Sequence, residues 1–205
     1  MPRTKTDTAL TIIPANKASW EDLVAVLGGA RCHGKPCHCQ RFKIPYHAWP
    51  TMSDDQLAQR LHTQTQCGHP KARSTSGLVA YLDDEPVGWC ALEPRPSYPS
   101  LMSTRMPWAG RHEDEDDDSI WAVTCFIVPT DYRHRGLTYA LAQAAVDFAR
   151  QRGARALEGY AMLTEPGKTI TWGELHVGAR QIFADAGFKE VTHPSKRRFV
   201  MRVDF

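Results

Sequence analysis

Ile120-Trp-Ala-Val-Thr-Cys-Phe126-Ile127-Val128-Pro129-Thr-Asp-Tyr-Arg133-His134-Arg135-Gly136-Leu137-Thr138-Tyr139 is the stretch on which the fold turns. Its first nine residues are apolar almost without a break, the pattern of a central strand covered on both faces. Pro129 has no N–H to give to a ladder and ends the strand. From Gly136 to about Arg152, the residues Leu137, Ala140, Leu141, Ala144, Ala145, Phe148 and Ala149 follow the 3.6-residue period. Gly153 lies just past the end, where a helix stop belongs. Such a helix is roughly 25 Å long at about 1.5 Å per residue, enough to cross a sheet.

On the N-terminal side, Leu10 to Ile13 reads as a strand stopped by Pro14. Ser19 with Asp22 three residues on has the form of a capping box and opens a short helix through Leu27. Ser53 caps a second helix over 54–66, with Leu57 and Leu61 on one face. Gly77–Leu82 and Pro86–Leu92, joined by Asp83-Asp84-Glu85, form a hairpin. On the C-terminal side, Ala156–Met162 is a strand, Pro166-Gly167 a turn and Glu174–Ala186 a helix. Lys189–Val191 and Arg198–Val203 are closing strands, antiparallel to each other. This order predicts an α/β/α sandwich around a mixed sheet. The whole of 1–205 forms one domain, with 31–50 and 93–118 as loop excursions.

Composition narrows the function. Lys+Arg of 25 against Asp+Glu of 23 gives a net charge of +2, too balanced for nucleic acid as the main partner. No segment approaches the roughly 18 consecutive apolar residues that a membrane span needs. The N-terminus lacks an apolar run of signal-peptide length, so a cytoplasmic location with reduced cysteines is the expectation.

The turn after the central strand carries the chemistry. N–H groups at a helix start have no intrahelical partner, and the helix dipole adds partial positive charge there. That suits a diphosphate. Gly136 lets phosphates approach without a Cβ in the way, and Arg133 and Arg135 offer charge-assisted bonds. There is no GxxxxGK[ST] and no GxGxxG, which argues against a nucleoside-triphosphate loop or a dinucleotide fingerprint. A merely well-capped strand–helix connection remains the plain alternative.

Arg133-x-x-Gly136-x-Thr138, with Val128 five residues before it, resembles motif A of the GNAT acetyltransferases, [RQ]-x-x-G-x-[GA]. Thr138 departs from the usual Gly or Ala, which implies a tighter turn. Gly178-Ala-Arg-Gln-Ile-Phe183-Ala-Asp-Ala-Gly187-Phe188 resembles the family's motif B. The resemblance implies a centrally splayed sheet and acetyl-CoA as donor, with coenzyme A as product. It implies that Phe126, Ile127 and Val128 border the pantetheine arm, with Phe126 and Val128 offering it backbone groups. The backbone of His134, Arg135, Gly136, Leu137, Thr138 and Tyr139 would cradle the pyrophosphate. The acceptor is a primary amine of a small molecule or peptide that attacks the thioester directly. A homodimer is compatible with it.

Two common catalytic groups of the family are missing. The position of a carboxylate on the central strand is Ala122, and that of a phenol four residues before the Gly-Phe is Phe183. His176, at the start of the motif B helix, is a candidate acid or relay. Glu158 and Tyr160 alternate onto one face of their strand and are further candidates. Catalysis by positioning alone, which can contribute about 7–11 kcal/mol, is a third. The missing groups also keep open a different class of function, a catalytically lapsed acyl-CoA-binding sensor or interaction module.

Cys32-His-Gly-Lys-Pro-Cys37-His38-Cys39 is rich in metal-ligand types, but a C-x₄-C-x-C spacing lacks the second pair of a zinc site. No metal and no disulfide are expected there. These side chains are read instead as walls of the acceptor pocket. Glu113 to Asp118, six acids in a row, is either solvated loop or a field for a cationic amine.

Overall fold

A computed structural model describes residues 9–32, 34–165 and 167–205, with the side chains of Cys32 and Trp172 also set aside. Pro166 of the expected turn, the thiol of Cys32, His33 and the first eight residues lie outside the described part. The elements in chain order are β1 (Leu10–Pro14), α1 (Trp20–Leu27), β2 (Arg31–Cys32), β3 (Lys35–Pro36), α2 (Asp54–Thr65), β4 (Gly77–Leu82), β5 (Glu85–Pro94) and α3 (Pro99–Met102). They continue with β6 (Ile120–Ile127), α4 (Leu137–Gln151), β7 (Ala156–Met162), α5 (Trp172–Leu175), α6 (Arg180–Asp185), β8 (Lys189–Ser195) and β9 (Arg198–Asp204).

Seven strands form one sheet in the order β1-β4-β5-β6-β7-β9-β8. All neighbours are antiparallel except β6 and β7. That single parallel step is made through α4, as a crossover requires. One face packs on α1 through Leu23, Val26, Leu27, Val79, Trp89, Ala91, Cys125 and Ile127. The other packs on α4 and α6 through Leu78, Cys90, Leu92, Val123, Phe126, Leu141, Ala145 and Phe183. The sheet is thus a middle layer between helices, and β6 is buried on both sides as its composition predicts.

The helices start as their sequences dictate. Ser19 Oγ accepts from Asp22 N at 3.0 Å and Asp22 Oδ2 accepts from Ser19 N at 3.3 Å. Ser53 and Gln56 make the same reciprocal pair on α2. Each cap is worth about 1 kcal/mol.

Two expectations need correction. The helix over 174–186 is two short helices, α5 and α6, because Gly178 between them takes φ +98°, a left-handed value that no helix interior tolerates. The segment instead joins the sheet: Phe126 N–H donates to His176 O at 2.7 Å, and Met162 N–H donates to Gly178 O at 2.9 Å. The 93–118 excursion is also no loose surface loop. Its start belongs to β5, and Tyr98, Leu101 and Met102 pack with Ala122, Tyr160 and Val200 into a third cluster. Arg95 is fully buried within it.

Candidate functional site

β6 and β7 are paired only from Ile120↔Ala156 to Val123↔Gly159. Beyond that both strands continue but diverge, and Thr124 is bulged out of the ladder with β5, which passes from Ala91↔Cys125 to Leu92↔Val123. A bulge adds local twist and bend, and the sheet opens into a V. The segment 176–179 is wedged in the neck of that V by the two backbone hydrogen bonds above.

A cleft of about 450 Å³ begins there and runs toward the start of α4. Its walls include Phe126, Val128, Leu137, His176, Gly178 and Ile182, and its outer end is the turn of Arg133, His134, Gly136, Thr138 and Tyr139. Gly136 is the N-cap of α4 at φ 75°, ψ 5°, and α4 receives no side-chain cap. A Cβ placed on Gly136 would meet nothing within 4 Å. The contrast with α1 and α2 is informative: both begin with capping boxes, while the longer α4 leaves its first N–H groups for another acceptor. One of them is already engaged, since Tyr139 N–H donates to Gly136 O at 3.0 Å. His134 also sits at positive φ, 61°, so two left-handed residues bend the turn around an open hollow. Such concave main-chain N–H arrays bind anions. The Arg133 side chain folds back, donating from Nε to Val128 O at 3.3 Å, and Arg135 donates to Asp131 O at 3.2 Å.

Of the sequence-derived cofactor residues, Phe126, Val128, Arg133, His134, Gly136, Leu137, Thr138 and Tyr139 line one cleft, while Arg135 does not and turns its guanidinium to Asp131 O. Ile127 points to the α1 face rather than into the cleft. The Phe126 amide is already bonded to His176 O, which leaves Val128 and the turn as the nearer main-chain partners for an arm lying in the V.

The three candidates for proton work end up in two places, His176 on the cleft and Glu158 with Tyr160 away from it. His176 is buried on the cleft wall, its ring stacked on Phe42 with centroids 5.8 Å apart. Glu158 is fully buried, and its carboxylate accepts from Arg111 Nη2, Arg202 Nη1 at 3.4 Å and Tyr160 OH at 3.1 Å, with Arg95 Nη1 at 3.5 Å. Glu113 joins the same three arginines at 2.7–3.3 Å. Burial works against the charge of Arg111, but the two carboxylates outweigh it and hold its pKa above the usual value. Burial and the Glu158 charge push the Tyr160 phenol far upward. Neither Glu158 nor Tyr160 lines the cleft.

The acidic run is accordingly part of the architecture. Glu113 closes the arginine cluster, Arg95 Nη2 donates to Asp114 O at 2.6 Å, and Asp117 Oδ2 accepts from Arg155 at 2.6 Å.

Phe183 stands with its ring jammed between two glycines. A Cβ on Gly159 would lie 2.2 Å from its Cε1, and one on Gly178 would lie 2.8 Å from its Cε2. It meets Phe188 edge to face at 5.1 Å and Phe126 at a tilt at 5.8 Å, measured between ring centroids.

A second cleft, about 660 Å³, adjoins the first on the α1 side. It is lined by Phe42, Ile44, Tyr46, His47 and Trp49 from the 41–49 loop and by Ser100, Ser103 and Thr104 around α3. Phe42 belongs to this cleft and His176 to the first, so their stacked rings form the partition between them. Sequence reading did not single out Phe42 or the 99–104 segment; a phenylalanine in a polar loop carries no local signal of its partner 134 residues away. Of the cysteine loop, Cys37 is buried with Ile44, Trp49 and Leu57, and Cys39 Sγ accepts from Trp89 Nε1 at 3.2 Å. Neither lines the second cleft, so the pocket wall there comes from residues 41–49 instead. Among the described residues, no three His, Cys, Asp or Glu side chains converge as metal ligands. Also among the described residues, no helix is long and apolar enough to cross a membrane.

Comparison with known proteins accords with this geometry. The model of the acetyltransferase (GNAT) family matches residues 41–164. A putative acetyltransferase, yncA from Salmonella typhimurium with its cofactor acetyl-CoA, is similar at a TM-score of 0.55 and 13% identity, over 96% of this chain and 94% of that one. A GCN5-related N-acetyltransferase from Kribbella flavida is similar at 0.53 and 18%, over 96% and 98%. An N-acetyltransferase from Staphylococcus aureus Mu50 is similar at 0.52 and 15%, over 96% and 98%. At these identities the structures show a common fold. No curated protein matches in sequence. The family model spans more than half of the chain, and the chain belongs to the acetyltransferase (GNAT) family.

Proposed function

We propose that this member of the family transfers the acetyl group of acetyl-CoA to a primary amine of a small molecule or peptide, by direct attack. The observation that carries the reading is the uncapped, glycine-led start of α4 at the outer end of the cleft. An anion there satisfies the first N–H groups that no side chain caps, and Gly136 leaves room for it. The diphosphate of acetyl-CoA fits that hollow, and its arm fits the cleft along Val128, Leu137 and Ile182. The donor supplies a thioester carbon, and the chain's residues orient it and screen it from water. The second cleft is the place for the acceptor, since it meets the first at the Phe42–His176 partition. His176 is the side chain positioned to give a proton to the departing sulfur. Glu158 and Tyr160 are assigned to the support of the sheet and α3, because their polar groups are committed to the arginine cluster.

The test is thiol release from acetyl-CoA with a panel of primary amines, beside calorimetric acetyl-CoA binding to wild type and Gly136→Asp. The variant places bulk and negative charge in the hollow, and it should lose binding. Unchanged affinity would remove the diphosphate from this turn. Tight binding with no thiol release on any amine would favour a sensor of acyl-CoA instead.

A further inference from the structure

Direct attack needs a neutral amine, and an amine reaches a protein near neutral pH mostly as its ammonium form. A proton acceptor is therefore required on the acceptor side of the sheet. Glu158 is 0% exposed, and its carboxylate is enclosed by Arg95, Arg111, Arg202 and Tyr160, so neither water nor an amine reaches it. The α1 face of β5 offers another carboxylate. Trp89 and Ala91 point to that face, and by strand alternation Glu93 does too. Glu93 is the register partner of Ala122 on β6, and residues directly opposite in an antiparallel pair share a face. It therefore stands one strand beside the position where the resemblance had looked for an acid and found alanine.

We propose that Glu93, held by Lys43, takes the proton from the acceptor amine. The proposal rests on the acetyl-transfer reading above. Lys43 follows Phe42 of the partition, and its Nζ donates to Glu93 Oε2 and, at 3.2 Å, to Gln64 Oε1. Gln40 Nε2 also donates to Gln64 Oε1 at 2.7 Å, and Arg60 Nε donates to Gln40 Oε1 at 3.3 Å. Lys43 lies over the Tyr98 ring at 5.4 Å. The Lys43 side chain is 5% exposed and that of Glu93 16%, so the carboxylate is largely desolvated yet keeps an open edge. Neither residue lines either cleft, and a proton from the amine reaches Glu93 through water. Burial raises its pKa, against the opposing charge and hydrogen bond of Lys43. A carboxylate set that way is a stronger base than an exposed one and still ionised by its partner. The titratable groups around it are Lys43 from the loop before α2 and Tyr98 from the turn before α3, with Cys39 and Cys90 beyond Tyr98. From β6, Ala122 stands opposite Glu93 and Thr124 lies beside Tyr98, with Cys125 and Ile127 farther along the same face.

The step balances simply. The ammonium gives one proton, through water at the open edge, to the Glu93 carboxylate. The neutral nitrogen forms the C–N bond to the thioester carbonyl carbon, and the C–S bond breaks. The proton still in excess on nitrogen passes to the thiolate, giving coenzyme A and the amide, and Glu93 returns its proton to solvent.

The experiment starts from wild-type thiol release with an accepted amine, measured as kcat/KM over pH 5.5–10. The rate should fall below an acid limb set by Glu93. Glu93→Gln should lose about 10²–10⁴-fold at pH 7. The loss should shrink as pH approaches the pKa of the amine, since the substrate then arrives neutral. Lys43→Met should move the acid limb to higher pH, and it carries the test if Glu93→Gln does not fold. Calorimetry should show acetyl-CoA affinity unchanged in both variants. Independently of turnover, infrared titration of the free protein should show a carboxylate band titrating above the usual range, absent from Glu93→Gln and shifted upward in Lys43→Met. An active wild type with Glu93→Gln within threefold at every pH overturns this proposal alone, as does an acid limb unmoved by Lys43→Met. A wild type that binds acetyl-CoA but acetylates no amine overturns both this proposal and the reading beneath it.

Discussion

Phe183→Tyr adds a single oxygen at the place where a phenol would have to stand to protonate a thiolate, and the packing says what that oxygen would do. Phe183 is fully buried, and its Cζ lies only 2.5 Å from where a Cβ on Gly159 would be. The para carbon thus faces bare backbone, with Gly178 closing on the other edge of the ring. Overpacking of this kind costs about 1–3 kcal/mol, and a buried hydroxyl without a partner costs about 1–3 kcal/mol more. For a chain of this size each kcal/mol is worth about 2–4 °C in Tm, so a fall of at least about 4 °C is expected. Thermal unfolding followed by circular dichroism reads the stability, and thiol release with an accepted amine reads the chemistry. Turnover should stay flat or fall. Losing a thiolate donor is tolerable because a thiol's pKa is only about 8.5, so the leaving sulfur gains modestly from a proton near neutrality. A variant with unchanged Tm and tenfold faster turnover would refute the argument, by showing that the new hydroxyl reaches the cleft rather than the core.

His176→Ala should lower kcat on an accepted amine while leaving acetyl-CoA affinity nearly unchanged; an unaltered kcat across pH 6–9 would remove any proton-transfer role and leave positioning. Glu158→Gln leaves Arg95, Arg111 and Arg202 facing one another with Glu113 as their remaining shared carboxylate. Breaking a buried ion cluster costs about 3–5 kcal/mol, so urea unfolding should show a loss of that order, and a loss under about 1 kcal/mol would contradict the structural role. Asp117 is held at a pKa of about 2 by Ser119 first and Arg155 second. Its folded value lies below the unfolded one of about 4, so its contribution is present above pH 4 and is lost as pH falls through 2. Asp117→Asn should therefore flatten the acid side of the stability curve between those limits, as read by unfolding at several pH values.

The parts of the fold that sequence exposes are those whose cause is local. The capping boxes at Ser19 and Ser53, the β4–β5 hairpin and the β6–α4 unit each owe their shape to residues within a few positions of one another. Where it fell short, the cause was distant. Arg95 reads as a loop residue until Glu158 and Glu113 are beside it, and only then can an arginine be fully buried. Arg180 to Asp185 has helical periodicity, and so does the segment before it, but Gly178 must leave room for Phe183 and Phe126. The sheet also claims the backbone of 176–179. Those hydrogen bonds outweigh helix propensity, which is a weak preference.

The same distinction separates the two halves of the site. The donor hollow is built from one run of main chain, Val128 to Tyr139, and main-chain N–H groups bind any molecule that carries the right anion. The proposed acceptor side draws on the 41–49 loop, the turn and helix over 95–104 and the segment after Trp172 that carries Gly173 and His176. Arg41 Nη1 reaches Gly173 O at 3.0 Å, and Ser100 N–H donates to Phe42 O at 3.0 Å, so these pieces brace one another rather than the donor turn. On the proposed reading, substitutions in the second cleft away from the partition, such as Tyr46 or His47, should change which amine is accepted while acetyl-CoA binding stays as it is. With the second cleft as the proposed acceptor site, a fold divided in this way would keep one donor and vary its acceptors, because specificity for the amine would reside in side chains on loops and recognition of the donor in backbone.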